Sequence, residues 1–195
     1  MNFKEQKGFT LLEMLVVSAI FVMAMTSMVS IFVQTNRAQK RLANSEKLQA
    51  DTRYVVELIA REVRTNKIDY AFYNGYPGKD MANQELSYLA LRDADNRQTI
   101  FHFEENKMKI CRFVSELINC STNSFYDVTP ADISVTSMKF FVTPTSDPFV
   151  IYAVDRPDNQ PLVTIALTTQ SLTKDLDDPK WIRYQTAISS RYYAR

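Results

Sequence analysis

Glycine is scarce in this chain of 195 residues: three occur, Gly8, Gly75 and Gly78, and the first proline is Pro77. Between Phe9 and Asn74 the sequence therefore holds neither of the residues that interrupt a helix. Histidine is scarcer still. His102 is the one example, and it sits in QTIFHFEEN, where alternation points to a strand and to a packed or surface side chain. One histidine in an extended strand cannot serve a Ser-His-Asp or Cys-His arrangement, and no glycine-rich loop is available to cradle a phosphate, so the chain does not read as an enzyme. An excess of charge of one sign is also missing. Lys and Arg number 23 against 22 Asp and Glu, a formal net charge of +1, which gives no strong field to draw nucleic acid or an acidic ligand. Cysteine occurs twice, as Cys111 and Cys120, too few beside a lone histidine for a zinc site. The pair reads either as a disulfide closing a small loop, preferred if this region lies outside the cytoplasm, or as two reduced cysteines packed as small apolar residues.

What the chain has in quantity is one apolar run. MLVVSAIFVMAMTSMVSIFV, residues 14 to 33, contains no charge, no proline and no glycine. At about 1.5 Å per residue it spans roughly 30 Å, the thickness of a bilayer's hydrocarbon core. A secretory signal peptide would have a core of about 7–15 residues ending in small residues. Here the run is longer, and NRAQKRLA follows it. The expectation is a membrane-spanning segment. From Phe9 to Val33 the one ionisable side chain is Glu13. An ionised carboxylate in hydrocarbon costs on the order of a few kcal/mol, so this acid needs a positive partner. The positive end of a helix dipole would favour it as well. That alone does not account for an acid flanked by Leu11, Leu12, Met14 and Leu15.

Beyond the run, NRAQKRLANSEKLQADTRYVVELIAREVRTNK keeps helical spacing. Leu48, Thr52, Val55, Ile59 and Val63 fall three or four apart with Leu58 beside them, and Glu57 precedes Arg61 by four, the favourable order for a surface pair. The sequence predicts one helix from about residue 9 to about residue 67, on the order of 85 Å long, apolar all round in its first half and amphipathic in its second. That first half cannot be packed inside a domain of this size; it must meet lipid or other copies of itself. YAFYNGYPGKD ends the helix. Its Tyr70, Phe72, Tyr73 and Tyr76 either wedge the helix against a sheet, the favoured reading, or form an exposed patch. After it the period changes to two. SYLALRD, QTIFHF, NKMKICRF, ISVTSMKFFV, PLVTIALTTQ and WIRYQTAISSRYY read as strands. DADN and EEN are hairpin turns without the glycine that the tightest turns prefer. The predicted fold class is α+β: a long N-terminal helix, with an apolar transmembrane half and an amphipathic half, packed on an antiparallel β-sheet head.

GFTLLEMLVV, residues 8 to 17, resembles the N-terminal signature of type IV prepilins and type II secretion pseudopilins: a glycine, Phe-Thr-Leu, a glutamate at the matching offset and a long apolar run. The resemblance implies that MNFKEQKG is a leader cut after Gly8 by a membrane-embedded prepilin peptidase. It also implies that the new terminus, Phe9, is N-methylated, and that Glu13 serves subunit register in assembly. Elementary electrostatics points the same way. Cutting creates an amine on Phe9, which within one chain lies roughly 6 Å up the axis and points away. In a bundle of staggered copies, Glu13 of one subunit can meet the amine of another and fix axial register. Glycine leaves an unencumbered, extended backbone beside the scissile bond. Thr10 is a further candidate to hydrogen-bond near the new terminus.

The implied layout is a leader at 1–8, a transmembrane and assembly half of the helix at 9–35, and an extracytoplasmic pilin-like head at 36–195 that includes the amphipathic helix to about 67. Lys4 and Lys7 precede the apolar run, while Arg37, Lys40, Arg41 and Lys47 follow it, so a count of basic residues does not favour an N-in orientation. N-in with the head outside follows from the resemblance. The chain is then a single-pass protein of the cytoplasmic (inner) membrane that enters a pilus or pseudopilus on assembly. Major pilins often carry proline or glycine inside the apolar run; Met14 to Val33 has neither, which suits a minor or tip component. LQADTRYVVELIAREVRTNKIDY, residues 48 to 70, together with ISVTSMKFFV, PLVTIALTTQ and QTAISSRYY, is most similar to the J-type pseudopilins and W-type minor pilins. That similarity implies a minor subunit at or near a filament tip that helps initiate assembly.

No cofactor is implied. The expected partners are the prepilin peptidase, which is also the N-methyltransferase, other major and minor pilins or pseudopilins, and the membrane through residues 14–33; nucleic acid is not expected. Two alternatives stay open: a DNA-uptake or adhesive tip-binding subunit on the same scaffold, and a membrane-anchored ectodomain that never assembles. Asp175, Asp177 and Asp178 in DLDDPK are candidate calcium ligands by likeness to loops of some related pseudopilins. Their spacing lacks the glycine and distal glutamate of an EF-hand, and a solvated loop is the preferred reading.

Overall fold

A helical period with no breaker in it yields one helix, α1, from Leu11 to Thr65, in a computed structural model that describes residues 8–74, 81, 85–112, 120, 124–149, 160–172 and 181–191. The chain divides into two compact units, Met1–Ala43 and Asn44–Arg195, and the division falls inside α1.

In the first unit every described residue, Gly8 to Ala43, is exposed. The apolar part of α1 has a mean hydropathy of 2.3 and is long enough to cross a membrane. Three of its hydroxyls are satisfied within the helix. Ser18 Oγ donates to the Leu15 carbonyl, and Thr26 Oγ1 and Ser27 Oγ both donate to the Met23 carbonyl, each at 2.9 Å. Hydroxyls bonded in this way ask nothing of the surroundings, which is the condition for burying them in lipid.

In the second unit α1 buries Leu48, Thr52, Val55, Val56, Ile59, Ala60 and Val63, the stripe that an amphipathic helix turns toward a core. Then come β1 (Lys67–Ile68), the short helix α2 (Tyr70–Asn74), β2 (Tyr88–Arg92), β3 (Gln98–Glu104), β4 (Lys107–Arg112) and β5 (Tyr126–Asp127). Strands β1 to β5 form a five-stranded antiparallel sheet in chain order. Strands β6 (Ile133–Thr143), β7 (Leu162–Ser171) and β8 (Trp181–Ser189) form a second, three-stranded antiparallel sheet. Backbone bonds join the two: Leu86 and Phe140 exchange N–H···O bonds of 2.9 Å, and the Val135 N–H donates to the Asn106 carbonyl at 2.8 Å. Ile59 of α1, Phe101 of β3, Phe140 of β6 and Ile165 of β7 are fully buried in one shared core. Within it the hydroxyls of Thr52 and Thr169 bond each other at 2.8 Å, and Thr52 also donates to the Leu48 carbonyl, so neither buried hydroxyl is left unsatisfied.

Two local features explain how the strands keep their apolar faces inward. The buried apolar positions of β6 change parity, from Ile133 and Val135 to Met138, Phe140 and Val142. A bulge causes this: Val135 pairs with Thr169 and Ser137 with Thr168, which leaves Thr136 as the extra, exposed residue. The β3–β4 hairpin closes through two residues in left-handed conformation, Glu105 (φ 53) and Asn106 (φ 60), as a two-residue turn following the right-handed twist demands. Asparagine tolerates that region, while glutamate does so at a cost. The turn is held from outside, since Lys109 Nζ donates to Glu104 and Glu105 at 3.1 and 2.9 Å and Asn106 is bonded to β6.

Cys111, on β4 and buried, is joined to Cys120 by a disulfide between residues nine positions apart. Removing a cross-link over so short a loop costs about 2–3 kcal/mol in a chain-entropy account. A Cys111→Ala/Cys120→Ala chain is expected to unfold at correspondingly lower urea, read by the fluorescence of Trp181. An unchanged midpoint would show that the cross-link adds nothing to stability.

Candidate functional site

The extreme N-terminus of the described chain is not helical. Gly8, Phe9 and Thr10 precede α1, a Cβ placed on Gly8 would meet nothing within 4 Å, and Phe9 is 73% exposed. The Gly8–Phe9 peptide bond therefore lies in open, irregular chain two residues before the helix begins, where a protease can draw it into extended form.

Thr10 is the helix cap. The Glu13 N–H donates to Thr10 Oγ1 (3.3 Å) and to its carbonyl (3.1 Å), and the Met14 N–H donates to the same carbonyl at 3.2 Å. Thr10 thus makes the N-cap half of a Thr-x-x-Glu capping box, and the return bond to the Glu13 carboxylate is not made. The expectation that Thr10 bonds near the terminus acquires a definite form here: it terminates the helix rather than binding a free amine. The carboxylate of Glu13 is exposed in the first turn of α1. Among the described residues nothing bonds it, and its neighbours Leu11, Leu12, Met14 and Leu15 are all large and exposed. An acid in that setting faces whatever the apolar helix faces.

The family model described as the prokaryotic N-terminal methylation motif matches residues 3–29. The match supports a likeness of this N-terminus to those of type IV pilins and pseudopilins. The match covers the Gly8–Phe9 bond, Glu13 and most of the apolar run of this pilin-like chain, and the motif is one of structural subunits rather than enzymes. Neither the curated proteins nor the solved structures compared with the chain give a match.

The remaining sequence candidates fall elsewhere. Tyr70 and Tyr73 are buried and Phe72 is half-buried in the core, so these three wedge the fold rather than form a patch. Burial raises the phenol pKa of both tyrosines, with Asp147 adding to the effect at Tyr70. The Tyr73 hydroxyl accepts the Ala90 N–H at 2.9 Å. His102 stacks on its cross-strand neighbour Tyr88, with ring centroids 3.9 Å apart and planes 6° from parallel, the packed histidine its position suggested. Tyr76, Asp175, Asp177 and Asp178 lie outside the described residues.

One residue was not anticipated. Asp69 is buried, and its Oδ2 accepts from Arg92 Nε (3.0 Å) and Gln98 Nε2 (2.6 Å), with the other arm of the guanidinium at 2.8 Å. Its backbone N–H donates to Ala90 and its carbonyl accepts from Phe72. The signal available in the sequence was an acid set among apolar neighbours in KIDYAF.

Proposed function

We propose that this chain is a minor pilin or pseudopilin. Cut by prepilin peptidase after Gly8 and methylated on Phe9, it would assemble through α1 at or near the tip of a type IV pilus or type II secretion pseudopilus and help initiate the filament. The observation that carries the reading is the carboxylate of Glu13, unbonded among the described residues, in the first turn of the exposed apolar part of α1 and a few residues beyond an accessible Gly8–Phe9 bond. In such a setting an ionised acid is tolerated where a positive charge meets it, and a cut at Gly8 supplies one per subunit.

An orientation with residues 36–195 outside the cytoplasm is favoured by the Cys111–Cys120 disulfide, since such bonds persist in oxidising compartments. An uninterrupted helix without proline or glycine from Met14 to Val33 favours a minor rather than a bulk subunit. The likeness of residues 48–70 to the J-type pseudopilins and W-type minor pilins adds that branch to the reading. The net charge of +1 gives the DNA-uptake alternative no support. Intact-mass and N-terminal analysis of the mature protein from its host tests the reading. The expected chain begins at Phe9 with one added methyl group. A mature chain that still begins at Met1 would reduce the protein to an anchored ectodomain.

A further inference from the structure

Edges are where a β-protein joins other chains, because an edge strand leaves half of its backbone N–H and C=O groups without a partner. The two sheets have four edges, and three are blunted. β1 and β5, which flank the five-stranded sheet, are two residues each. β6 carries the bulge at Thr136 and is tied by Val135 and Phe140 to Asn106 and Leu86. The fourth edge, β8, differs. Its nine residues pair with β7 without a register shift, from Trp181↔Gln170 to Ser189↔Leu162, and among the described residues no strand bonds its far side. WIRYQTAIS contains no proline, no lysine and no acid, so the strand itself lacks these protections against strand addition.

The exposed side of β8 indicates what would be added. Trp181, Arg183, Gln185 and Ala187 alternate outward. The Arg183 guanidinium lies 4.8 Å over the Trp181 ring, a stacking that holds a cation in place at the surface. Lys139, across the shallow groove that Arg183 shares with Ser137 and Thr168, is answered by Glu85 at 2.5 Å. Among the described residues no carboxylate answers Arg183. A second copy of β8, paired antiparallel about Gln185, would set Ala187 opposite Arg183 and bring no acid, so self-pairing leaves the cation unmatched.

We propose that the free edge of β8 takes up an extended segment of a partner protein, which adds as a fourth strand and sets an acidic side chain against Arg183. Main-chain bonds along the nine-residue edge supply affinity, as in other strand additions, and the acid supplies selectivity. The inference does not rest on the filament reading, and its failure would leave the tests of Phe9 and Glu13 untouched.

Trp181 is the one tryptophan in the chain, so its emission reports on this edge. The detergent-solubilised full chain is titrated with acetyl-Thr-Val-Thr-Glu-Thr-Val-Thr-amide and with the same peptide carrying lysine in place of glutamate. The glutamate peptide is expected to give a saturable change in emission with an affinity roughly five-fold higher than the lysine peptide, the scale of a cross-strand charge pair. Arg183→Glu should invert the preference, and Arg183→Gln, which keeps a polar side chain of similar reach, should erase it. A glutamate peptide N-methylated at alternate amides should not bind. No saturable response, equal affinities, or a preference indifferent to both Arg183 variants would overturn the proposal. So would emission that changes with chain concentration alone, which would give the edge to a second copy.

Discussion

Glu13→Ala is expected to leave the protein processed and membrane-bound but absent from filaments. The Gly8–Phe9 bond is untouched, and the helix keeps its start because Thr10 supplies the cap through its own oxygens. The lost dipole interaction of an N-terminal acid costs about 0.3–1 kcal/mol, too little to unfold a helix of 55 residues. On the proposed reading, what the variant loses is the partner of a neighbouring subunit's Phe9 amine. Leaving one member of a buried ion pair unmatched costs about 3–5 kcal/mol, which lowers incorporation by about two to four orders of magnitude. Glu13→Gln keeps shape and some hydrogen bonding but not the charge, so it should assemble nearly as poorly. Immunoblots of sheared filaments and of membranes separate the two pools. Normal amounts of either variant in the filament fraction would remove the electrostatic role.

Asp69→Ala is expected to be the most damaging polar substitution in the head. The carboxylate gathers Arg92 from the end of β2 and Gln98 from the start of β3 at the joint between α1 and α2. Removing it leaves a half-buried guanidinium and an amide without their acceptor, at a cost of roughly 3 kcal/mol. Asp69→Asn retains an acceptor but no charge and should lose about half as much. Urea denaturation of the solubilised full chain, followed by Trp181 fluorescence, measures both. A midpoint within error of the parent for Asp69→Ala would mean that Arg92 and Gln98 find water instead and that the joint is held by packing.

The sequence disclosed the parts of this fold that are governed by period and by missing breakers. The long helix appears as α1 with its ends drawn in to Leu11 and Thr65, because Thr10 caps one end and the chain turns into β1 at the other. Leu48, Thr52, Val55, Ile59 and Val63 are all buried. Each of the six strand segments contains a strand. The division of those strands between two sheets was not legible, since nearest-neighbour alternation says which residues face inward but not where pairing stops. A sign of the bulge was available: apolar residues in ISVTSMKFFV are spaced by two, then by three, then by two again. The glycine-free hairpin at Glu105 and Asn106 escaped turn rules because its strain is offset by contacts from Lys109 and Val135, which are remote in the sequence or lie outside the turn. Asp69 could not be assigned a partner, since the bonds it makes depend on where β2 ends and β3 begins. At the N-terminus, by contrast, every feature that matters is local, and residues 8–17 sufficed.

Because α1 starts at Leu11 with Thr10 as its cap, a cut between Gly8 and Phe9 removes no residue of α1. Precursor and product would share α1 and differ in whether a free amine stands two residues before its first turn. Maturation would then be an electrical event rather than a conformational one. Such a subunit needs no change in α1 to become competent, and it could dock the instant that amine is free.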